Sequence, residues 1–368
     1  MDGVRSRHIS LLILILLSAK ILVVLSSPFI PLEGGSAGER TLVDRLGYGF
    51  DSVFYVHISE KGYSDFTPSP HNSRFLPEGP ESSNCIYSWL FLYPLMIKMV
   101  SYATNPILAG LIISNLSSIT AVILFYGIAL DYLDENPAFR AAILFMIYPP
   151  NLNSGMYLHN GMLSLTLVLL AWMFLKKSII VSGLSLMLAS LTRFEALIMF
   201  PLFTIIYLRG SRGITPSKRF SSLLCLNVFS LPLLYWILVS VPADTGLQLS
   251  DIEWICHGNH IGLPGLALLY SSPMGLLFTY FALLAAVRLR KYGNDLHIYS
   301  IFMMLFFLSL GGSAITGSLP RYIGSIWPLF LYYGREMDSV DVCFVSLLFV
   351  LMSSLMFNIH SNLLSIVL

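Results

Sequence analysis

Residues 106–130 contain no Asp, Glu, Lys or Arg, and further apolar runs lie near 9–30, 138–150, 157–175, 178–192, 194–208, 220–241, 267–287, 297–316, 322–334 and 341–367. A hydrocarbon core about 30 Å thick takes roughly 20 apolar residues per helical crossing, so runs of this kind belong in a bilayer. The whole chain agrees: 56% hydrophobic residues, 11% charged and a mean hydropathy of +0.75 leave too little polar surface for a water-soluble globule. The expected fold is an all-α polytopic membrane protein with about 10–11 transmembrane helices, several of the runs being shorter than a full span. Residues 1–368 read as a single multi-pass membrane domain. A first transmembrane helix lies at 9–30, a large outer loop with amphipathic, juxtamembrane helices at 32–104, and a helical membrane body at 106–368.

Positive charge resists translocation and therefore orients the chain. Arg5, Arg7 and His8 precede the first run, whose length and lack of a small-residue cleavage site read as a retained anchor with a cytosolic N-terminus. Basic clusters at Lys176/Lys177, at Arg209, Arg212, Lys218 and Arg219, and at Arg288, Arg290 and Lys291 mark further cytosolic loops. The alternation leaves 86–103 unable to be an ordinary crossing. Pro94 and Lys98 among Tyr87, Trp89 and Tyr93 suit an interfacial or re-entrant helix there. The same alternation puts Arg193 and Arg321 at outer turns. Two arginines on that side suggest an anionic ligand such as a lipid phosphate, for which a guanidinium offers forked donors. The plainer reading is a helix cap or a local pair, Arg193 with Glu195 for instance.

A net charge of +1 provides no basic field for nucleic acid, and neither a P-loop nor a zinc-spaced Cys/His cluster is present. His57, His159, His257 and His260 fall on the outer side without metal-ligand spacing, and no serine nucleophile elbow appears, so no metal or cofactor is assigned. Cys85, Cys225, Cys256 and Cys343 are scattered. Cys85 and Cys256 could meet outside the membrane, but buried free thiols are the commoner state.

Acid–base chemistry needs a carboxylate near a reacting hydroxyl and open to substrate. Asp51, Glu60 and Asp65 share the outer loop, and Asp51 opens the aromatic-rich stretch GFDSVFYVHISEKGY at 49–63. If 50–63 is helical, Asp51, Phe54, Tyr55 and Ile58 share one side; the helix could equally begin at Asp51 as its N-cap. Fixing this acid at the rim of a partly dry cavity is expected to raise its basicity by desolvation.

These pieces resemble a known family. FDSVFYVHISEKGY is similar to the first luminal motif of the family containing the second mannosyltransferase of GPI-anchor assembly. YSWLFLYPLMIKM at 87–99 resembles its aromatic, proline-containing element, with Leu92 where proline is common and Pro94 retained. YPPNLNSGMYLHNGMLSL resembles a third segment at Tyr157, SLTRFEALIMFPLF a fourth at Arg193, and LPRYIGSIWPLFLYYG a fifth at Arg321, Pro328 and Tyr332. All five lie in the family's order over roughly 280 residues, which is more specific than any one match. The chain departs at Phe54 and Tyr55, at His159 where the family often has Glu, and at Phe194 and Glu195 where Ser-Asn is expected.

The resemblance implies a GT-C type glycosyltransferase fold with its active site on the luminal side of the endoplasmic reticulum membrane, or of a plasma membrane if the source is prokaryotic. It implies a donor, dolichyl-phosphate mannose, and an acceptor, a GPI precursor glycolipid already carrying one mannose. It also leaves room for a small membrane partner subunit. Asp51 would be the catalytic base, Arg193 and Arg321 would hold the donor phosphate, and Tyr63, Tyr93, Tyr157 and Tyr322 would contact substrate. No Asp-x-Asp metal cradle or nucleotide-sugar domain argues for another donor. A transporter or flippase of a lipid-linked sugar, and a GT-C enzyme with another acceptor, are the alternatives.

Overall fold

The computed structural model describes residues 2–26, 42–47, 50–64, 66, 80–210, 215–245, 260–261, 273–311 and 321–367. Helices α1 (Asp2–Ser26), α2 (Leu42–Gly47) and α3 (Phe50–Lys61) precede a 3-10 segment at Pro80–Ser88 and α4 (Leu92–Ser101). The membrane body continues as α5 (Pro106–Ala129), α6 (Glu135–Ile147), α7 (Pro149–Ser154), α8 (Gly161–Phe174) and α9 (Ile179–Ser190). A 3-10 turn at Phe194–Ile198 leads into α10 (Met199–Gly210), α11 (Pro216–Val228), α12 (Leu231–Tyr235) and α13 (Val241–Thr245). Then come α14 (Pro273–Arg288), α15 (Asn294–Ser309), a short helix at 321–325, α16 (Pro328–Glu336) and α17 (Ser339–Val367). The single strand pairing among the described residues joins His260–Ile261 to Leu310–Gly311.

The all-helical, multi-pass architecture expected from the hydropathy pattern is what the chain adopts. Among the described residues, Val4–Ser26, Pro106–Ala129 and Ser339–Phe357 are long and apolar enough to cross a bilayer, and Phe220–Val228 with Leu231–Ser240 reaches the same length and apolarity as a pair bent by 45°. Pro232 explains the bend, since proline removes a backbone donor just where the helix restarts. Shorter apolar helices fill the space between these spans. The ten residues of α4 rise only about 15 Å, half a hydrocarbon core. It packs against α3 and α5.

The first helix starts at Asp2, ahead of the expected Ile9, because its polar first turns have partners. His8 stacks on Phe139 at 4.5 Å and its Nδ1 lies 2.7 Å from the Tyr126 hydroxyl, while Arg5 reaches Glu135 at 3.6 Å. Inside the span, Lys20 is buried and donates to Asn115 Oδ1 and to the Gly155 carbonyl, each at 2.9 Å. A lysine at membrane depth persists only with such acceptors. Cys85 is disulfide-bonded, contrary to the free thiol favoured from sequence, whereas Cys225 and Cys343 are free and Cys256 lies outside the described residues. Disulfides persist in oxidising compartments, which suits an outer position for the 32–104 loop.

Helix α5 serves as a ruler through the bundle. Its Ser114 meets His159 and its Tyr126 meets His8, and twelve helical positions separate these two contacts by about 18 Å. The N-terminal basic residues and the 155–160 loop therefore lie at opposite ends. Between them sits an aromatic core: Phe125 stacks on Phe145 at 4.4 Å, and buried Trp327 meets Trp172 at 5.0 Å.

α16 crosses α6 closely where Gly334 faces Ala141, and Arg140 Nε donates to the Gly334 carbonyl at 3.0 Å. A Cβ built on Gly334 would come within 2.5 Å of Ala141 backbone atoms. Gly334→Ala must therefore push two helices apart and is expected to cost about 1–3 kcal/mol. Thermal unfolding of the detergent-solubilised protein would register this as a lowered Tm; an unchanged Tm would mean the crossing is loose.

Candidate active site

Four chain segments meet at the end of the bundle away from the N-terminus, and local folding explains each. α3 carries Asp51 in its first turn and ends at Gly62, whose φ of +75° and backbone N–H donating to the Ile58 carbonyl at 3.0 Å form a left-handed stop. Phe54, one turn on, stacks on Trp89 at 3.6 Å, which aims Trp89 Nε1–H at Asp51 Oδ1, 3.3 Å away. The second segment is the turn between α7 and α8. Ser114 clamps its backbone, donating to the His159 carbonyl at 3.0 Å and accepting from the His159 amide at 3.2 Å. Asn160 Nδ2 then donates to the Thr192 carbonyl at 2.8 Å, tying this turn to the third segment, which carries Arg193 after α9. Arg321 opens the fourth, the helix at 321–325.

The side chains converge on Asp51, which keeps 25% of its side-chain surface. His159 Nε2 stands 3.4 Å and Arg321 Nη1 3.8 Å from Asp51 Oδ2, and those two nitrogens are 3.2 Å apart. Arg193 forks onto Glu195, Nη2 donating to Oε1 at 2.6 Å and Nε to Oε2 at 3.3 Å, while its Nη1 donates to Asn160 Oδ1 at 3.3 Å. Both guanidinium groups lie over Tyr322, 5.9 Å for Arg193 and 5.6 Å for Arg321, and that ring stacks on Phe307 at 4.9 Å. A cavity of about 60 Å³ opens beside them, lined by Arg193, Glu195, Arg321, Tyr322 and Tyr299 among others.

Burial alone pushes the Asp51 carboxyl up, as expected from sequence. The His159 hydrogen bond and the positive charges of Arg321 and Arg193 outweigh it, so the group ends well below the usual carboxylate range. The expected rise in basicity is therefore reversed: Asp51 is ionised at neutral pH because cations face it. Burial, reinforced by the arginines and opposed by Asp51, lowers His159 to about 4, so its ring is neutral at pH 7. Burial also opposes ionisation of Glu195, but Arg193 holds it below its ordinary value.

The structure brings Asp51, Arg321 and Tyr322 together and places Arg193 one residue shell away, in the pair with Glu195 that the plainer reading had named. The other three tyrosines point elsewhere. Tyr63 stacks on Tyr87 at 5.0 Å and donates to the Trp89 carbonyl at 2.7 Å. Tyr93 is fully buried, its hydroxyl 2.7 Å from Ser114 Oγ and 3.0 Å from the Gly110 carbonyl. Tyr157 stacks on Phe357 at 5.8 Å. Tyr93 therefore supports the Ser114 clamp, with no surface left for a sugar to stack on. Trp89 was read from sequence only as part of an interfacial helix and Asn160 was given no role; their side-chain partners lie 38 and 33 positions away.

No protein-family model matches the chain, and no curated protein matches it by sequence. Its three-dimensional arrangement does have counterparts, and the fold is that of the GT-C membrane glycosyltransferases. ArnT from Cupriavidus metallidurans bound to undecaprenyl phosphate superposes with a TM-score of 0.56 at 12% identity, over 92% of this chain and 62% of ArnT. Apo ArnT from the same organism gives 0.50 at 12% identity, over 82% of this chain and 57% of its own. The chain thus spans about three fifths of the length of the ArnT structures it resembles.

Proposed function

We propose that the protein is an inverting glycosyltransferase using a lipid-phosphate sugar on the outer side of its membrane. In its specific form, it transfers mannose from dolichyl-phosphate mannose to a GPI precursor as the second mannose, in the endoplasmic reticulum. The observation that carries the general reading is an ionised, partly open carboxylate, Asp51, facing Arg321 at 3.8 Å within a GT-C fold. The undecaprenyl phosphate in the ArnT structure supports a lipid phosphate as the ligand class. The mannosyl donor and GPI acceptor rest on the five ordered motifs.

The step is a single displacement. The acceptor oxygen bonds to the anomeric carbon as Asp51 takes its proton, and the bond from that carbon to the phosphate oxygen breaks with its electron pair leaving on the phosphate. Arg321 meets the charge that develops there. Donor phosphate also draws Arg321 away from Asp51, so binding of the donor raises the basicity of a carboxylate that the resting site holds low. Arg193 has three of its five N–H groups committed to Glu195 and Asn160. Its remaining donors and its field assist Arg321, and Tyr322 forms the floor beneath both.

Purified protein, dolichyl-phosphate mannose and a mono-mannosylated GPI precursor test this directly. The expected product is the acceptor plus one hexose with inverted anomeric configuration. Movement of donor lipid across vesicles without a new glycolipid would favour a flippase; transfer to a different acceptor would retain the chemistry and remove the GPI assignment.

A further inference from the structure

His159 lies between the proposed base and the proposed phosphate ligand, and its surroundings specify which nitrogen carries the proton. Its Nδ1 accepts the Gly161 backbone N–H at 2.9 Å. An acceptor nitrogen in a neutral imidazole bears no proton, so the proton belongs on Nε2. That nitrogen faces Asp51 Oδ2 at 3.4 Å. The approach of Arg321 Nη1 to the same nitrogen at 3.2 Å is then two donors side by side, both turned to the carboxylate.

The ring has little freedom to choose otherwise. Ser114 holds the His159 backbone on both its N–H and its carbonyl. A Cβ at Gly161 would come within 2.9 Å of the imidazole, so the ring rests against a position only glycine leaves open. With Trp89 on Oδ1, the two oxygens of Asp51 each have a fixed donor. The carboxylate is therefore locked about its terminal torsion, with lone pairs left for an incoming hydroxyl.

We propose that His159 is a positioning residue for Asp51, acting as a neutral Nε2–H donor that fixes the carboxylate in its reactive orientation; the catalytic half of this inference rests on the transfer function proposed above. The charged groups facing the ring are Asp51 from α3, Arg321 from 321–325 and Arg193 after α9. The two arginines oppose a second proton, and the ring stays neutral through the physiological range.

The first test needs no catalysis. In protein labelled with 15N-histidine, and with the His159 signals assigned by their loss in His159→Gln, the ring is expected to show unprotonated Nδ1 and protonated Nε2 at pH 7. It should keep this state on acidification until about pH 4. A proton on Nδ1, or an imidazolium at pH 7, overturns the proposal. The second test is kinetic. His159→Leu is expected to lower kcat about 10- to 100-fold with little change in donor KM, as loss of an orienting partner does, and His159→Gln to recover most of that loss by supplying an N–H. Equal damage in both variants at matched folding, or no damage in either, overturns the positioning role. If the wild type itself transfers no sugar, the functional reading fails on its own, and the tautomer measurement still decides the hydrogen bond.

Discussion

Asp51→Asn is expected to abolish measurable transfer, with kcat falling about 10²- to 10⁴-fold, the range a positioned general base contributes. The substitution keeps the shape of the side chain and leaves an oxygen for the Trp89 N–H, now 3.3 Å from Oδ1. What it removes is, among the described residues of the cluster, the only group suited to accept a proton from an acceptor hydroxyl. Glu195 is occupied by Arg193 at 2.6 Å, and His159 has its one acceptor nitrogen on Gly161. Donor binding should change little, because Asp51 does not touch the phosphate in the proposed step. Size-exclusion chromatography and thermal unfolding would separate lost chemistry from lost folding.

Arg321→Gln is the second large effect. Removing one well-placed donor to a developing oxyanion typically costs about 10²- to 10³-fold in kcat, and here the lost group also carries the charge that meets the phosphate. The donor KM should rise as well, since the phosphate is charged in both ground and transition states. Arg321→Lys should restore only part of the activity, because an ammonium lacks the planar fork. The corresponding change at Arg193 should act differently. Its guanidinium is paired with Glu195, both half-buried, so its removal strands a carboxylate and lowers stability along with activity. Steady-state kinetics with Tm measured in parallel would tell the two arginines apart.

Much of this arrangement could be read from the chain because charges are rare in a membrane protein and each must be accounted for. Asp51 and Arg321 stood out on that ground, and they meet. The helical body was legible for the same reason, hydropathy being a one-dimensional signal.

What escaped the sequence depends on partners far apart in the chain. His159 was visible only as an outer-side histidine without metal-ligand spacing and as a departure from a motif, since its meaning lies in Gly161 two positions on and Asp51 108 positions earlier. Tyr93 carries the same aromatic signature as a sugar-stacking residue, yet its hydroxyl is spent on Ser114 and Gly110. The direction of the Asp51 shift was misjudged because burial was visible in the pattern and the convergence of cations was not. Lys20 sits in an apolar run whose average hides it, and Asn115 of α5 and the carbonyl of Gly155, just past α7, supply its acceptors.

A structure of the Asp51→Asn protein with dolichyl-phosphate mannose bound would test the shared site most directly. The account predicts a phosphate oxygen about 2.7–2.9 Å from the Arg321 guanidinium, as in charge-assisted pairs. The anomeric carbon should lie between it and residue 51, with the face opposite the phosphate open to an acceptor. Donor lipid seated elsewhere, with its phosphate away from Arg321 and its sugar out of reach of residue 51, would contradict it.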